Sequence, residues 1–383
     1  MEENTLNTRN AGIDILRLML MLLIIILHLV VQGGVLRSGC NSWTYFIGVV
    51  LETMTLPAVN VFALITGYMS YRSNERSVSI KKYFVLWLQV VWYCVLGIII
   101  GKTVFHVDIS SVEVIKYLLP VTFSKYWYFT AYTGVYLFMP FLNDYVSKMD
   151  EKMFKKFLSI LLMIFCPYTM MVNIVGDPFD LNAGYSFLWL SIMWIVGAGL
   201  RKFQILNCVS RKTWILLSVF LIGAGAMSDM LIRCITLIIL GKSIASNIFL
   251  SYLSPIIIML SIVYLRAFEK IKIARSKEKG GKIIAFLAKG AFGIYLFHVH
   301  PIMMDHLIHD RYLYLALEIG AKVFLIIFRD AIIVFLIALL TDLLRTFLFR
   351  AMHIDKIANL LQRLIAGTRV RVVALLSEVQ AVK

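Results

Sequence analysis

The sequence contains few charged residues for its length. Only 16% of its 383 residues are Asp, Glu, Lys or Arg, whereas 60% are hydrophobic, and the mean hydropathy is +0.84. Soluble globular domains have a much more polar composition. This scarcity of charge excludes a soluble catalytic domain and predicts an all-α polytopic membrane protein, whose principal surroundings are the lipid bilayer.

Cysteine and acidic residues are also scarce. The five cysteines stand singly, with no CxxC pair and no histidine spacing suited to a zinc site, so no metal is expected. The 22 acidic residues against 38 basic ones give a net charge of +16. Binding of nucleic acid would require a soluble basic face, which this composition does not provide, so no nucleic-acid partner is expected. Glu2 and Glu3 replace the basic segment of a signal peptide, so the first apolar run is expected to be retained.

Ten apolar stretches are long enough to cross about 30 Å of hydrocarbon. They lie at 13–32, 44–69, 83–101, 127–143, 154–173, 185–200, 213–231, 247–266, 283–302 and 321–345. The sequence therefore predicts about ten transmembrane helices and places both termini on the same side of the membrane.

The distribution of positive charge predicts the orientation. If the N-terminus is cytoplasmic, 27 of the 38 Lys and Arg fall in cytoplasmic segments or in the adjoining ends of the stretches, and 8 in outside loops or the ends adjoining them, as the positive-inside rule requires. We expect residues 1–345 to form a single transmembrane domain. Residues 346–383 alternate apolar and basic side chains and are expected to form a cytoplasmic amphipathic tail.

Three ionisable residues interrupt the first apolar stretch. Asp14 precedes Arg17 by three residues, and His28 follows Arg17 by eleven, about three helical turns. The helical period therefore places polar and apolar side chains together on one face. The members of this face are Asn10, Asp14, Arg17, Met21, Ile24 and His28. Because ionisable groups are costly in hydrocarbon, we expect the face to turn into the bundle or toward a water-filled cavity.

The chemistry of this face suggests a donor path. Histidine is suited to general-base work near neutral pH, and the planar guanidinium of arginine suits phosphate or carbonyl groups. Arg17 and His28 are separated by about 16 Å along a helix axis, which fits a donor with a charged head and a long thin arm, such as a coenzyme A thioester. A purely structural alternative also exists, in which Asp14 and Arg17 form an interfacial ion pair and His28 bonds a neighbouring helix.

Further polar and aromatic residues are candidates for the site. Asn60 and the Gly67–Tyr68 pair lie in the second stretch, and Arg72 and Arg76 follow it as cations that could equally be topology anchors. Trp127, Tyr128 and Tyr132 begin the fourth stretch, where such rings form either an interfacial belt or a platform for a sugar.

The ninth and tenth stretches also carry polar residues. Tyr295 precedes His298 by almost one turn, and His298 could meet His28 in the outer half of the bundle or simply satisfy a backbone carbonyl. The sequence does not indicate a role for Lys289. Arg329 and Asp330 are adjacent, and because adjacent residues on a helix point about 100° apart, separate partners are expected.

Four stretches in order resemble the acyltransferase-3 family of integral membrane acyltransferases. The first is the Arg-x10-His spacing of Arg17 and His28. The others are LPAVNVFALITGYMSYR at 56–72, KYWYFTAYTGVYLFMPFLN at 125–143 and GAFGIYLFHVHP at 290–301. One segment departs from the family pattern, because SIKKYFVLWLQ at 79–89 offers Lys81 and Lys82 where many members carry an Arg-rich cluster followed by Leu-Pro.

The resemblance implies an activity and a location. It implies O-acetyl transfer from cytoplasmic acetyl-CoA, as co-substrate, to a hydroxyl of a cell-surface or lipid-linked glycan, in a bacterial inner membrane. It is closest to short members without an appended esterase-like domain. On this basis His28, Arg17, Asp14 and His298 are expected to be catalytic. Arg17, Arg72, Arg76, Lys81 and Lys82 are expected to bind the donor, and Asn60, Trp127, Tyr128, Tyr132 and Tyr295 the acceptor.

A transporter or flippase for a glycan precursor or a small polar metabolite is the alternative from another functional class. Ten spans with buried charges occur equally in transporters. Inverted repeats with broken helices would favour that alternative, and the sequence shows none by inspection. A membrane sensor that only binds a ligand is a third, weaker possibility.

Overall fold

The computed structural model shows a helical bundle. It describes residues 10–37, 43–72, 78–167, 171, 176–177, 179–242, 248–271, 278–318 and 320–365, and no strand occurs within these ranges. The expectation of an all-α protein is therefore confirmed.

Thirteen helices of the described ranges form the bundle, and we number them in chain order. They are α1 (Ala11–Val31), α2 (Trp43–Thr55), α3 (Ala58–Ser70), α4 (Ile80–Thr103), α5 (Ser111–Leu118), α6 (Trp127–Lys148), α7 (Glu151–Ile160), α8 (Phe187–Phe203), α9 (Arg211–Leu240), α10 (Pro255–Glu269), α11 (Glu278–Leu287), α12 (Ala291–His298) and α13 (Gly320–Ala351). A short helical turn at Pro301–Met303 follows α12.

Six helical segments of the described chain are long and apolar enough to cross a membrane. They are Ala11–Arg37, Trp43–Ser70, Ile80–Thr103, Arg211–Leu240, Gly280–His298 and Gly320–Ala351. Helices α6, α8 and α10 also coincide with expected spans, and α7 begins another, but these four fall short of the length or hydropathy of a span. The chain is thus a multi-pass membrane protein, and the count of ten spans stays a prediction.

Helix α1 is the central element of the bundle. It packs against α2, α3, α10, α11, α12 and α13. In its most apolar window 67% of the residues are buried inside the protein, against 22% for α9. A polar residue on α1 therefore has to face either another helix or an internal cavity, whereas α9 presents most of its surface to lipid.

Short polar side chains start several of the helices. The Asn10 side chain accepts a hydrogen bond from the Ile13 amide at 3.2 Å, and its amide nitrogen donates to the Glu269 carbonyl at 2.8 Å. Ser79 caps α4 in the same way. Such caps satisfy amides that have no partner inside the helix. Asn10 thereby also ties the start of α1 to the end of α10.

The pair formed by α3 and α8 is unusually close. Side chains added at Gly67 or Gly197 would run into the backbones of Trp194 and Leu64, respectively. Only glycine permits this approach of two backbones. The Gly67 of the Thr-Gly-Tyr segment is therefore used for helix packing.

A buried ionic network joins α4, α12 and α13. The Asp342 carboxylate accepts hydrogen bonds from Gln89 and Tyr93, each at 3.1 Å, and from Arg345 at 2.8 Å. Gly293 of α12 lies directly against Asp342 and the Tyr93 hydroxyl. The network thus fixes the position of α12, the helix that carries His298.

The expectation for Arg329 and Asp330 is wrong. The Nε atom of Arg329 lies 2.7 Å from a carboxylate oxygen of Asp330, so these neighbours pair with each other, and the Tyr312 hydroxyl donates to the other oxygen at 3.1 Å. The flexible arginine side chain bends back to its neighbour, which the 100° separation of the two Cα–Cβ directions does not prevent.

Outside the apolar spans, α5 is held to the segment that leads into α6. Glu113 lies 2.8 Å from Lys116 and 2.7 Å from Lys125. Hydrogen bonds from Lys116 and Lys125 lower the pKa of the Glu113 carboxyl to about 2. The ammonium of Lys125 also lies 4.2 Å from the ring centre of Tyr117. These contacts fix the chain just before Trp127.

Candidate active site

A cavity of about 660 Å³ runs beside the polar face of α1. Its volume is typical of small-molecule sites. Arg17, Met21, Ile24 and His28 all line it, so the face expected from the helical period does open onto a cavity. Arg17 and His28 thus belong to one continuous space, although about 16 Å of helix axis separates them.

His28 is paired with His298 at the wall of this cavity. The Nδ1 atom of His28 lies 3.2 Å from Nε2 of His298, and Nδ1 of His298 lies 2.7 Å from the Ile294 carbonyl oxygen. His298 is 1% exposed and does not itself line the cavity, whereas His28 is half-buried and does. The expected meeting of α1 and α12 through these two histidines is confirmed.

This geometry determines the tautomers of the neutral pair. A carbonyl oxygen only accepts, so Nδ1 of His298 carries a proton and its Nε2 is an acceptor. Nδ1 of His28 is then the donor between the rings, and Nε2 of His28 keeps a lone pair. The arrangement resembles the orientation of a catalytic histidine by a neighbouring group, with a second imidazole and a carbonyl in place of a carboxylate.

The end of the cavity opposite His28 is lined by positively charged side chains. Arg17 is 29% exposed and lies 3.2 Å from Asp14, whose side chain is 1% exposed. The exposed Lys289 lines the same cavity from the short turn between α11 and α12. Asp14 lies behind the cavity wall and orients Arg17. The ion pair named above as a structural alternative is therefore present, but Arg17 still faces the cavity.

Aromatic rings form the wall around the start of α6. Trp127 packs against Tyr185 with ring centres 4.5 Å apart, and Tyr185 packs against Tyr252 at 5.1 Å. Tyr128 contacts Tyr295 at 6.0 Å. These five residues and Tyr132 line the cavity. The four acceptor candidates Trp127, Tyr128, Tyr132 and Tyr295 are thus brought together in one wall.

Asn60 lies behind this wall. Its amide nitrogen donates to the Tyr252 carbonyl at 2.8 Å, its oxygen accepts from the Trp189 indole at 2.9 Å, and the residue is fully buried. Among the described contacts, both polar atoms of Asn60 are thus used inside the protein. Asn60 therefore positions Tyr252, and contact of Asn60 with an acceptor stays a prediction.

Three further donor candidates of the described chain do not line the cavity. The Arg72 amide bonds Asn143 at 3.4 Å, the Lys81 ammonium lies 4.0 Å from Asp355, and Lys82 is exposed at the start of α4. Arg76 lies outside the described residues. A donor role for these four residues stays a prediction.

His300 is separated from the histidine pair. Its ring stacks on Tyr117 with centres 5.1 Å apart and fills the space left by Gly97. Within the described ranges, no group of three or more His, Cys, Asp or Glu side chains is arranged to hold a metal ion. The polar groups in the cavity lining include imidazole, guanidinium, ammonium and phenol groups, the Gln32 amide and the Asp305 carboxylate.

Comparison with known proteins agrees with this arrangement. The sequence model of a family described as "Acyltransferase domain" matches residues 10–346. The chain belongs to the acyltransferase-3 family. No curated protein and no solved structure matches it significantly. As a member of this family the protein is a membrane acyltransferase, and the cavity with its histidine pair is its candidate active site.

Several residues of this acyltransferase site were not identified from the sequence. They are Gln32, Thr66, Tyr185, Tyr252 and Asp305, all of which line the cavity. Tyr185 and Tyr252 had a weak signal, because both are aromatic residues close to the ends of expected spans. Gln32 and Asp305 had none, since they belong to the connections that follow α1 and the Pro301–Met303 turn.

Proposed function

We propose that this acyltransferase moves an acetyl group from cytoplasmic acetyl-CoA to a hydroxyl of a cell-surface or lipid-linked glycan. The observation that carries the proposal is the single cavity that joins Arg17, at the end expected to be cytoplasmic, to the oriented imidazole of His28. The coenzyme would enter beside Arg17 and Lys289, and its thin arm would carry the thioester to His28.

The acceptor would approach from the opposite end. There the cavity is lined by Asp305, Gln32 and the aromatic wall around Trp127. Aromatic rings offer apolar faces to sugars, and amide and carboxylate groups hydrogen-bond hydroxyls. Both substrates would therefore meet in one cavity, at His28, without a carrier on the protein.

His28 then acts as a general base. Its Nε2 lone pair takes the proton of the acceptor hydroxyl while the hydroxyl oxygen attacks the thioester carbonyl carbon. The imidazolium that forms keeps its Nδ1 hydrogen bond to His298. When the tetrahedral intermediate collapses, the C–S bond breaks, and the proton on Nε2 passes to the departing thiolate. The products are the acetyl ester and free coenzyme A.

The test uses purified protein in lipid nanodiscs. With acetyl-CoA and extracted surface glycan, the wild type should release coenzyme A thiol and acetylate the glycan. A His28→Gln variant, which keeps a polar side chain, should do neither while being produced at the normal level. Acetylation at the normal rate by His28→Gln would remove His28 from the reaction. A protein that moves glycan precursor across the membrane without releasing thiol would instead be a transporter.

A further inference from the structure

The N-terminus of α6 lies in the wall of the active-site cavity. Its first three residues, Trp127, Tyr128 and Phe129, all line the cavity, and its N-cap residue Tyr126 makes no side-chain capping hydrogen bond. The first amides of a helix have no acceptor inside the helix, and its N-terminus carries a partial positive charge. A 22-residue helix therefore begins in the cavity wall with amides that have no acceptor inside the helix.

A second group of the same wall lacks a hydrogen-bond acceptor. Tyr295 is 6% exposed, and its buried hydroxyl has no acceptor for its proton within the part of the chain that the structure describes. The Tyr128 amide is a donor to the oxygen of this hydroxyl, and the two tyrosine rings are in contact, with centres 6.0 Å apart. Buried polar groups are almost always hydrogen-bonded. A donor that remains unused beside a cavity indicates a ligand atom that accepts from it.

These donors lie next to the histidine pair. Tyr295 precedes His298 by three residues on α12, so both side chains share a face of that helix. Their rings meet edge to face with centres 6.3 Å apart. His298 in turn contacts His28, whose ring lines the same cavity as Tyr295. A carbonyl that reaches His28 thus enters the cavity whose wall contains Tyr295 and the first turn of α6.

We infer that the Tyr295 hydroxyl and the first-turn amides of α6 form an oxyanion hole. The inference rests on the proposed acyl transfer at His28. When the acceptor oxygen bonds to the thioester carbon, the π pair of the C=O bond moves onto the carbonyl oxygen. Tyr295 and the α6 amides donate hydrogen bonds to that oxygen. The pair returns as the C=O bond re-forms and the thiolate leaves. Donors fixed in place before the reaction stabilise this charge without reorganisation.

Two ketone analogues of acetyl-CoA separate this role from simple binding. In both, a methylene group separates the sulfur from the carbonyl carbon. There is then no thioester bond to break, so no thiol can be released. A methyl ketone remains trigonal, whereas a trifluoromethyl ketone hydrates to a tetrahedral form that mimics the intermediate. The wild type in nanodiscs should bind the trifluoromethyl ketone much more tightly. Loss of one oxyanion donor typically lowers the rate about 10²- to 10³-fold, so Tyr295→Phe should lose about 10²-fold of this preference.

Kinetics provide the second readout. Tyr295→Phe should lower kcat for thiol release by about 10²-fold or more, while KM for acetyl-CoA stays within about twofold. The matched control is Tyr264→Phe, because the Tyr264 hydroxyl bonds the Met54 carbonyl at 2.9 Å and the residue does not line the cavity. Tyr264→Phe should keep both kcat and the preference for the trifluoromethyl ketone. Since the Tyr295 hydroxyl donates no described hydrogen bond within the protein, its variant should also keep a melting temperature close to that of the wild type.

Each result decides between distinct conclusions. If Tyr295→Phe keeps its kcat and its preference for the fluorinated ketone, the inference of an oxyanion hole is wrong. The proposed acyl transfer at His28 is not affected by that result. If Tyr295→Phe raises KM for acetyl-CoA and leaves kcat unchanged, Tyr295 only binds the donor, and the inference is also wrong. If the wild type binds neither ketone, the proposed use of acetyl-CoA fails, and the oxyanion hole fails with it.

Discussion

His28 and His298 are joined by a hydrogen bond of 3.2 Å between Nδ1 of the first and Nε2 of the second. His298 is held in turn by the Ile294 carbonyl at 2.7 Å, so a backbone atom of α12 determines which nitrogen of His28 carries the proton. No carboxylate takes part in these contacts. The orientation of the His28 imidazole therefore depends on the position of one helix relative to another.

His298→Ala should therefore slow the reaction without weakening donor binding. His28 would lose the acceptor that fixes its tautomer and stabilises its imidazolium form. We expect kcat for thiol release to fall about 10²-fold or more, the usual contribution of acid–base catalysis, with KM for acetyl-CoA nearly unchanged. The control is His306→Ala, because His306 makes the same kind of contact, to the Ile302 carbonyl at 3.0 Å, outside the cavity. A His298→Ala kcat within twofold of wild type would contradict the assigned role.

Arg17 should recognise the charged part of the donor and not its reactive end. Arg17→Lys keeps a positive charge beside Asp14 but loses the planar fork that binds phosphate oxygens in pairs. We expect KM for acetyl-CoA to rise about tenfold, a change of about 1.4 kcal/mol, with little change in kcat. Acetyl-pantetheine, which lacks the nucleotide, should show the same KM in both proteins. An equal rise in KM for the two donors would place Arg17 against the thioester arm.

Direct transfer predicts that no acetyl group rests on the protein. Wild-type protein mixed with radiolabelled acetyl-CoA, without acceptor, and quenched within milliseconds should carry no covalent label. The cavity extends past His28 on both sides, so the acceptor hydroxyl can reach the thioester itself. Label that appears on the wild type and is absent from His28→Gln would instead establish an acetyl-histidine relay across the membrane.

The sequence predicted the polar face of α1 well, and the reason is physical. Charged groups in an apolar helix have few tolerable positions, so the spacing of Arg17 and His28 is enough to predict a shared cavity. The pairing with His298 could also be predicted from the sequence, since both histidines are expected in the outer half of the bundle. In contrast, Tyr185 and Tyr252 reach the cavity through connecting segments, whose path the helical period does not determine.

The contacts of Asn60 and of the cations after α3 could not be predicted from the sequence, for a different reason. A buried Asn has the same sequence signature whether it contacts substrate or a neighbouring backbone, and here it holds the Tyr252 carbonyl and the Trp189 indole. Lys81 likewise lies near Asp355, a residue beyond the last span, which no local pattern could have indicated. Arg329 and Asp330 pair with each other because rotamers, unlike Cα positions, are not determined by the helical period.

The buried network behind α12 provides a test of how strictly the histidine pair must be positioned. Gly293 lies against the Asp342 carboxylate, so the side chain of Gly293→Ala would force α12 away from α13. Overpacking of this kind usually costs about 1–3 kcal/mol. We expect a lower melting temperature in detergent and a lower kcat, because the Ile294 carbonyl that orients His298 follows immediately after Gly293. Gly223→Ala is the matched control, since no described atom beyond its chain neighbours and its own helix backbone lies within 4 Å of the added carbon. If Gly293→Ala lowers the melting temperature but leaves kcat unchanged, the histidine pair tolerates a displacement of α12, and the Asp342 network serves stability alone.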